Sequence, residues 1–347
     1  MPTRAKTMKA GLLESSEEFV VREIPVPAPG TDEVLIRVHA CGVCMSEVAS
    51  WKSGRCRPLY PRYPEVLNVL DWDFPVEWGE RDYPVHWGHE MSGEIVEVGE
   101  GVADLRPGMR VTGLGSRGFA EYCLCPARYT LPLDATIPFT HALGEPIAAA
   151  YNAAQRAAVQ PGDGVALVGC GFMGLMLLQM VRLASPRVVV ALDIRDDALA
   201  IVRQLGADAA INVARGDVYG RLREVLGPRG ADVTIEVAGK QETLDLAGCI
   251  AAVRGRVVIA GCHQGGPRSV DVEHWNYKVL DVINAHARNP QVYFDGMQAG
   301  IRLLNEGKLQ MEPLITHAFP LDEIGTAFRA TVEKPQGFIK AVITPGT

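Results

Sequence analysis

The stretch Val165-Ala-Leu-Val-Gly169-Cys-Gly171-Phe-Met-Gly174 decides the fold of this chain. Its four leading apolar residues do not alternate with polar ones, which predicts a strand buried on both faces, as in a parallel sheet covered by helices. The glycines that follow are typical of a turn from strand into helix. The first makes the tight turn, the second lets backbone approach a pyrophosphate, and the third allows close helix packing. The stretch therefore predicts a doubly wound α/β domain that binds a dinucleotide.

An acidic residue, Asp193, ends the next apolar run, residues 188–192. A carboxylate in this position accepts hydrogen bonds from the adenosine ribose and repels a 2′-phosphate, so NAD is favoured over NADP. Arg195, two positions later, complicates this preference, and a structural glycine turn without a ligand is the alternative interpretation. The residues predicted to contact the cofactor are Gly169, Gly171, Phe172, Met173, Gly174, Asp193, Ile194 and Arg195.

The pattern of predicted strands and helices changes along the chain. Strand and helix patterns alternate from about residue 161 to 287, with the first helix predicted at about 172–184. Residues 1–150 instead carry short β-type runs broken by glycine and proline, among them the alternating run 118–124. After residue 290, helices near 292–306 and 321–332 lead to a strand at 338–343. We expect a small β-barrel domain from 1–150 and 290–347, and a nucleotide-binding domain from 151–289.

Composition and charge exclude several classes of function. Hydrophobic residues make up 48% and charged residues 22% of the 347, as in a globular protein, and the net charge is −7. The absence of a Lys/Arg cluster argues against a nucleic-acid partner. No apolar run is long enough to cross a bilayer, and no export signal is recognisable. Eight scattered cysteines suit reduced thiols better than disulfides, so we expect a cytoplasmic protein without membrane partners.

Three short clusters carry residues with metal-binding chemistry. They are Cys41-Gly-Val-Cys44-Met-Ser46-Glu47, Gly88-His89-Glu90 and Gly144-Glu145-Pro146. A lone Cys-x-x-Cys is equally compatible with a redox pair, half a zinc site or no function. A single histidine is more often a core residue than a ligand. Taken one at a time, the clusters leave these alternatives open.

The order and surroundings of the clusters resemble the zinc-containing medium-chain dehydrogenase/reductases, most closely the sorbitol and threonine dehydrogenase type. The resemblance runs almost from end to end. It includes residues 21–29, 33–38, 41–51, 88–101, 106–111 and 313–322 besides the glycine-rich turn. It implies a GroES-like β-barrel catalytic domain joined to a Rossmann domain.

The resemblance also implies a role for particular residues. The expected zinc ligands are Cys44 (rather than Cys41), His89 and Glu145, with Glu90 either coordinating or just outside the metal. The predicted catalytic set is Ser46, which meets the substrate oxygen, together with Glu47 and Glu90. Lys340 and Arg288 lie where relatives touch the cofactor. One thiolate, one imidazole, one or two carboxylates and an open position describe a catalytic zinc site.

The sequence departs from this family in four places. The lobe of four cysteines that holds a second, structural zinc is missing; Cys123 and Cys125 look like strand residues, which predicts one zinc per chain. Glu47 replaces an aspartate that orients the histidine ligand. Ala49 replaces a histidine that ends the proton relay, so protons must leave by another route. Met45 replaces a common glycine.

An insertion of about 55–82, rich in Pro, Trp and Tyr, separates the first two clusters. It suits either a surface excursion or a wall over the active site that sets specificity. The expected function is hydride transfer between a secondary alcohol or polyol (sugar alcohol, cyclitol or amino alcohol) and NAD in a zinc-dependent homodimer or homotetramer. The alternatives are a zinc-free quinone- or enoyl-type reductase and a non-enzymatic nucleotide-binding protein.

Overall fold

The computed structural model describes residues 6–53, 83–264, 266–287 and 289–346. The chain divides into two compact units. Unit 1 is Met1–Glu145, Arg288–Asp295 and His317–Thr347, and unit 2 is Pro146–Ala287 and Gly296–Thr316. The predicted insertion at 55–82 and the predicted cofactor residue Arg288 lie outside the described residues. Within the described residues, no helix combines the length and apolarity needed to span a membrane.

The elements are numbered along the chain. The strands are β1 Thr7–Ser15, β2 Glu18–Pro25, β3 Glu33–Gly42, β4 Val85–His86, β5 Glu90–Val98, β6 Arg110–Gly113, β7 Tyr122–Pro126, β8 Thr130–Pro132, β9 Gly164–Val168, β10 Val188–Asp193, β11 Ala209–Asn212, β12 Ala231–Glu236, β13 Ala251–Ile259, β14 Asp281–Asn284, β15 His317–Pro320 and β16 Ala341–Thr344. The α-helices are α1 Met45–Ser53, α2 Gly144–Ala157, α3 Phe172–Arg182, α4 Asp196–Gln204, α5 Val218–Leu226, α6 Gln241–Ile250, α7 Val272–Lys278, α8 Pro290–Asn305 and α9 Ile324–Glu333. Short 3-10 helices are Ala127–Tyr129, Phe139–His141, Glu312–Leu314 and Leu321–Glu323.

Unit 1 is a β structure in which the described strands form two sheets. The smaller has the order β2-β1-β4, and the larger has the order β15-β16-β3-β5-β6-β8, with β7 also paired to β3. Strand β3 pairs antiparallel with β5 and with β16, so Gly42 lies opposite Glu90 and Cys41 opposite Ile343. Fully buried side chains such as Phe119, Phe328 and Phe338 fill the core, and each stabilises the unit by roughly 1.5–3 kcal/mol.

One predicted strand of unit 1 begins later than expected. The alternating run 118–124 predicted a strand from Gly118, but β7 starts at Tyr122. The backbone N–H groups of Gly118 and Phe119 instead donate to the carbonyls of Gly88 and Trp87, at 2.8 and 3.1 Å. These bonds tie the segment before β7 to the residues just before His89.

Unit 2 is a doubly wound α/β unit. Its sheet, within the described residues, is parallel with the order β11-β10-β9-β12-β13-β14. The chain leaves β9 towards β10 on one side and later returns to β12 on the other, so the sheet's topological switch point lies between β9 and β12. Ligands of such sheets bind outside the carboxyl ends of the strands at this point.

The division between the units differs from the predicted boundaries after residue 290. The sequence assigned all of 290–347 to the barrel domain, whereas Gly296–Thr316 belongs to unit 2. The physical reason is the packing of helix α8 on helix α2. A side-chain carbon at Gly300 would collide with Ile147, and one at Gly296 would lie 2.5 Å from the side-chain oxygen of Asn152. Glycine at both positions lets α8 pack closely on the core of unit 2.

Candidate active site

Three side chains with metal-binding chemistry converge in unit 1. The sulfur of Cys44, a ring nitrogen of His89 and a carboxylate oxygen of Glu90 all lie within 4.8 Å of one another. Cys44 immediately precedes α1, and His89 and Glu90 stand at the start of β5. The antiparallel register of β3 with β5 places Gly42 opposite Glu90, which brings two clusters that are distant in sequence together.

The imidazole of His89 is held by a buried carboxylate. Nδ1 of His89 donates to Oε1 of Glu47 at 2.8 Å, and the N–H of Gly88 donates to the same oxygen at 3.0 Å. The other oxygen of Glu47 accepts from the backbone N–H of Cys44 at 3.3 Å. With the Nδ1 proton committed to Glu47, Nε2 of His89 is the nitrogen that suits a metal.

The charges around His89 favour positive charge at this place, either on the imidazole or on a bound metal ion. Burial lowers the pKa of His89, but the negative charges of Glu47 and Cys44 outweigh it, so the pKa lies well above its ordinary value. Burial raises the pKa of Glu145 to about 7, and the charge of Glu90 adds to the effect. Burial therefore dominates the shift of Glu145, whereas the anionic neighbours of His89 overcome the effect of burial. A divalent cation there would neutralise these anionic neighbours.

The remaining predicted residues of unit 1 surround this triplet. Glu145 lies outside the 4.8 Å group, yet its carboxyl is in electrostatic range of His89, Glu90 and Lys340. The hydroxyl of Ser46 donates to the sulfur of Cys44 at 3.2 Å. Nζ of Lys340 is buried, pairs with Glu90 at 2.5 Å and donates to the carbonyl of Val43 at 2.9 Å. A cofactor contact of Lys340 stays a prediction, since these partners all belong to unit 1.

The donor set fits zinc. One thiolate, one imidazole and one carboxylate within reach of a single ion, with the imidazole oriented by a second carboxylate, match the composition of catalytic zinc sites. Cys123 and Cys125 lie buried in β7. Burial raises the pKa of both thiols, that of Cys125 to about 12, so they remain neutral core residues.

The glycine-rich turn of unit 2 has the predicted geometry. Gly169 has a φ of +110°, and a side chain at Gly174 would collide with the Gly169 carbonyl. A side-chain carbon at Gly171 would meet no protein atom within 4 Å, so this glycine faces open space. Gly171 caps α3, whose first residues are Phe172 and Met173. The open space at the start of this helix suits a pyrophosphate.

Asp193 ends β10 at the same edge of the sheet. Its carboxylate accepts from the backbone N–H of Cys170 at 2.7 Å and from that of Arg195 at 2.9 Å. These bonds fix the carboxylate beside the glycine-rich turn. Ile194 is exposed, and Nε of Arg195 lies 3.8 Å from Asp197.

Sequence reasoning missed one polar pair at this edge. Glu236, fully buried at the end of β12, accepts from Nε2 of His263 at 2.7 Å. A signal was present, because Glu236 ends an apolar strand just as Asp193 does. The partner histidine was not recognisable, since it follows the next strand.

Comparisons with known proteins identify the family of both domains. Residues 30–135 match the family model of the alcohol dehydrogenase GroES-like domain, and residues 173–301 match that of zinc-binding dehydrogenases. The chain is 29% identical to a sorbitol dehydrogenase of Gallus gallus, covering 88% of each chain. It is 27% identical to an L-galactonate-5-dehydrogenase of Escherichia coli, covering 97% of this chain and 99% of the relative.

A solved structure supports the same assignment. The putative zinc-binding dehydrogenase of Sinorhizobium meliloti 1021 bound to NADP superposes with a TM-score of 0.80 at 26% identity, covering 98% of this chain and 100% of that one. The chain belongs to the zinc-dependent medium-chain dehydrogenase/reductase superfamily, with a GroES-like and a Rossmann-type domain. Within it, the chain is of the sorbitol and threonine dehydrogenase type.

Proposed function

We propose that this protein transfers a hydride between a secondary alcohol or polyol and NAD with the help of one zinc ion. The observation that carries the proposal is the convergence of Cys44, His89 and Glu90, with Glu47 holding the imidazole. Relatives named as sorbitol and L-galactonate dehydrogenases support a polyhydroxylated substrate, for which sugar alcohols, cyclitols and amino alcohols are the candidates. Oxidoreduction of alcohols and polyols is the activity in the names of these relatives.

Each residue around the triplet has a separate task. Bound zinc supplies a Lewis acid that lowers the pKa of an alcohol hydroxyl. Cys44, His89 and Glu90 hold the ion, and Glu145 serves as a further carboxylate ligand. Glu47 fixes the tautomer and orientation of His89. The hydroxyl of Ser46, next to Cys44, hydrogen-bonds the substrate oxygen, takes the substrate's proton and passes its own proton on towards water. The ammonium group of Lys340 pairs with Glu90.

The nucleotide-binding residues favour NAD. Support comes from Asp193, which is anchored by two backbone N–H groups at the end of β10, since a carboxylate at this point repels a 2′-phosphate. Of the nearby arginines, Arg195 lies near Asp197, and Arg215 pairs with Asp196 at 2.7 Å. A 2′-phosphate would therefore have to compete with acidic side chains for these guanidinium groups. The variant Asp193→Ser is expected to narrow the preference of NAD over NADP by roughly tenfold.

An activity screen on the zinc-loaded enzyme tests the proposal. NAD and NADP reduction would be followed with simple alcohols, sugar alcohols, cyclitols and β-hydroxy amino acids, and bound zinc would be counted by mass spectrometry. We expect one zinc per chain and NAD-dependent turnover of a secondary alcohol or polyol. Zinc removal by a chelator should abolish turnover, and zinc addition should restore it. Lack of turnover on every substrate with zinc bound would contradict the proposal.

We also propose that the protein acts as a cytoplasmic homodimer or homotetramer. Strand β14 lies at one edge of the unit 2 sheet, and its Val282 is 45% exposed, close in sequence to exposed Val279 and Tyr277. An exposed apolar edge strand pairs readily with a second chain. Light scattering should give a dimer or tetramer that Val282→Lys dissociates. A monomeric wild-type protein would contradict this part of the proposal.

A further inference from the structure

A buried carboxylate organises the loops at one end of the unit 2 sheet. Oε1 of Glu236 accepts from the backbone N–H groups of Ala238 and Gly239, at 2.9 and 2.7 Å, and from the hydroxyl of Thr243 at 2.7 Å. Oε2 accepts from Nε2 of His263 at 2.7 Å. Glu236 therefore ties the loop after β12, the start of α6 and the loop after β13 to one another.

Holding two loops together with this buried pair costs free energy of folding. Glu236 is 0% exposed, and Nδ1 of His263 is shielded from solvent without a hydrogen-bond partner among the described residues. Burial of a carboxylate and of an unsatisfied nitrogen both oppose folding. The pair therefore calls for an explanation beyond stability.

The loops held by the pair adjoin the nucleotide-binding turn. A side-chain carbon at Gly169 would lie 3.0 Å from the backbone nitrogen of Ala238, so the loop after β12 abuts the glycine-rich turn. A side-chain carbon at Gly261 would lie 2.6 Å from Oε2 of Glu236, which shows how closely the loop after β13 approaches the same carboxylate. Both loops lie at the carboxyl edge of the sheet, where ligands of such sheets bind.

The order of the strands indicates which half of a dinucleotide these loops meet. Asp193 ends β10, on one side of β9, and marks the adenosine half. The glycine-rich turn after β9 takes the pyrophosphate. The remaining half must extend across the switch point to the opposite side, over β12 and β13. That half would be the nicotinamide half, on the side of the sheet where Glu236 and His263 hold the loops after β12 and β13.

Resting on the proposed nicotinamide-dependent function, we propose that Glu236 and His263 are positioning residues for the nicotinamide end of the cofactor. Glu236 fixes the backbone of Ala238 and Gly239 directly and the loop after β13 through His263. The two loops are thus arranged before the cofactor binds, which reduces the ordering that binding requires. The adenosine and pyrophosphate subsites rest instead on Asp193 and the glycine-rich turn itself.

A comparison of two ligands tests this inference by binding alone. NADH carries the nicotinamide ring, whereas ADP-ribose has the same adenosine, pyrophosphate and ribose without it. Calorimetric titration of His263→Ala and Glu236→Gln should show NADH affinity reduced roughly 3- to 10-fold and ADP-ribose affinity unchanged. The fluorescence enhancement of bound NADH should also fall, because a less constrained nicotinamide is quenched more readily.

Asp232 offers a matched control on the same strand. Near the amino end of β12, its Oδ2 accepts from the backbone N–H of Gly164 at 2.7 Å. Asp232→Asn removes the charge of a carboxylate that fixes backbone at the opposite edge of the sheet. Thermal melting would compare the stability of this variant with that of His263→Ala and Glu236→Gln. We expect Asp232→Asn to leave the affinities for both ligands unchanged.

Two further outcomes overturn the inference in different ways. If His263→Ala and Glu236→Gln weaken NADH and ADP-ribose equally, or weaken neither, the pair is only structural. If the wild-type protein binds neither ligand, the proposed nicotinamide-dependent function fails, and the inference fails with it.

Discussion

Nδ1 of His89 donates to Oε1 of Glu47 across 2.8 Å, and the glutamate is almost fully buried, with 6% of its surface exposed. Relatives of this type are expected to carry an aspartate at this position. The longer side chain still reaches the imidazole, and its second oxygen accepts from the backbone of Cys44. One carboxylate therefore controls the position of two candidate zinc ligands.

Replacing Glu47 should weaken zinc binding without removing a ligand. Glu47→Gln keeps the size of the side chain but loses the charge that supports the Nδ1 proton of His89. Changes to such supporting groups typically lower metal affinity about 10- to 100-fold. Competition with a chromophoric chelator would measure the change. Glu94→Gln, at a partly exposed ion pair with Arg37, is the control, and equal zinc affinity in both variants would contradict the role of Glu47.

The two cysteines of the Cys-x-x-Cys sequence should behave differently. Cys44→Ser removes a thiolate of the triplet, so we expect loss of zinc and of turnover. Burial, followed by the charges of Glu47 and Glu90, raises the pKa of Cys41 well above its ordinary value, so this thiol stays neutral. Cys41→Ala should therefore retain zinc. Metal content after dialysis decides the matter, and zinc loss from Cys41→Ala with zinc retained in Cys44→Ser would reverse the assignment.

Substitutions at two glycines of the nucleotide-binding turn should have different effects, one on the stability of the fold and the other on dinucleotide binding. An added methyl group at Gly174 collides with the carbonyl of Gly169, so Gly174→Ala should cost about 1–3 kcal/mol of stability. A methyl group at Gly171 meets no protein atom within 4 Å, so Gly171→Ala should melt like the wild type. Because that space suits the pyrophosphate, Gly171→Ala should nevertheless weaken binding of both NADH and ADP-ribose. Unchanged dinucleotide affinity in Gly171→Ala would show that the open space serves another purpose.

The stability of unit 1 should depend on pH through His86. Burial, aided by the charge of Arg117, lowers the pKa of His86 from 6.5 to about 4. The unfolded chain then binds the proton more readily, so this contribution to stability is complete above pH 6.5 and is lost as the pH falls towards 4. The loss amounts to as much as about 3 kcal/mol.

Denaturant unfolding of wild type and His86→Asn at pH 7.5 and pH 5 would measure this term. The difference between the two pH values should be smaller in His86→Asn. Arg117→Gln removes the nearby positive charge. Its difference in stability between the two pH values should lie between those of the wild type and His86→Asn. An equal pH dependence in all three proteins would exclude His86 as its source.

Local patterns predicted the nucleotide-binding turn well, because its chemistry is contained in consecutive residues. Helix α3 begins at Phe172 as predicted and ends at Arg182 rather than residue 184, and Asp193 ends β10 beside the turn. The grouping of Cys44, His89 and Glu90 was predictable only through the family resemblance. Cys44 and His89 meet through the pairing of β3 with β5, and no local pattern encodes that register.

The errors share a physical cause. The run 118–124 alternates like a strand from its start, yet the first residues donate to the segment before His89 instead of extending β7. The amphipathic pattern of α8 reveals a helix but not the core on which it packs. The pairing of Glu236 with His263 joins residues that follow different strands. Tertiary pairing decided each of these features.

Strand β16 has a consequence for the order in which the molecule assembles. It follows all of unit 2 in the chain, yet Ile343 pairs with Cys41, the N–H of Val43 donates to Ala341, and Lys340 reaches Glu90. The ribosome therefore synthesises Cys44, His89 and Glu90 long before it synthesises strand β16, which pairs with β3 beside them. Contacts between such distant segments form late and slowly. The proposed metal site should therefore be among the last parts of the protein to form, and a nascent chain without β16 should bind zinc weakly.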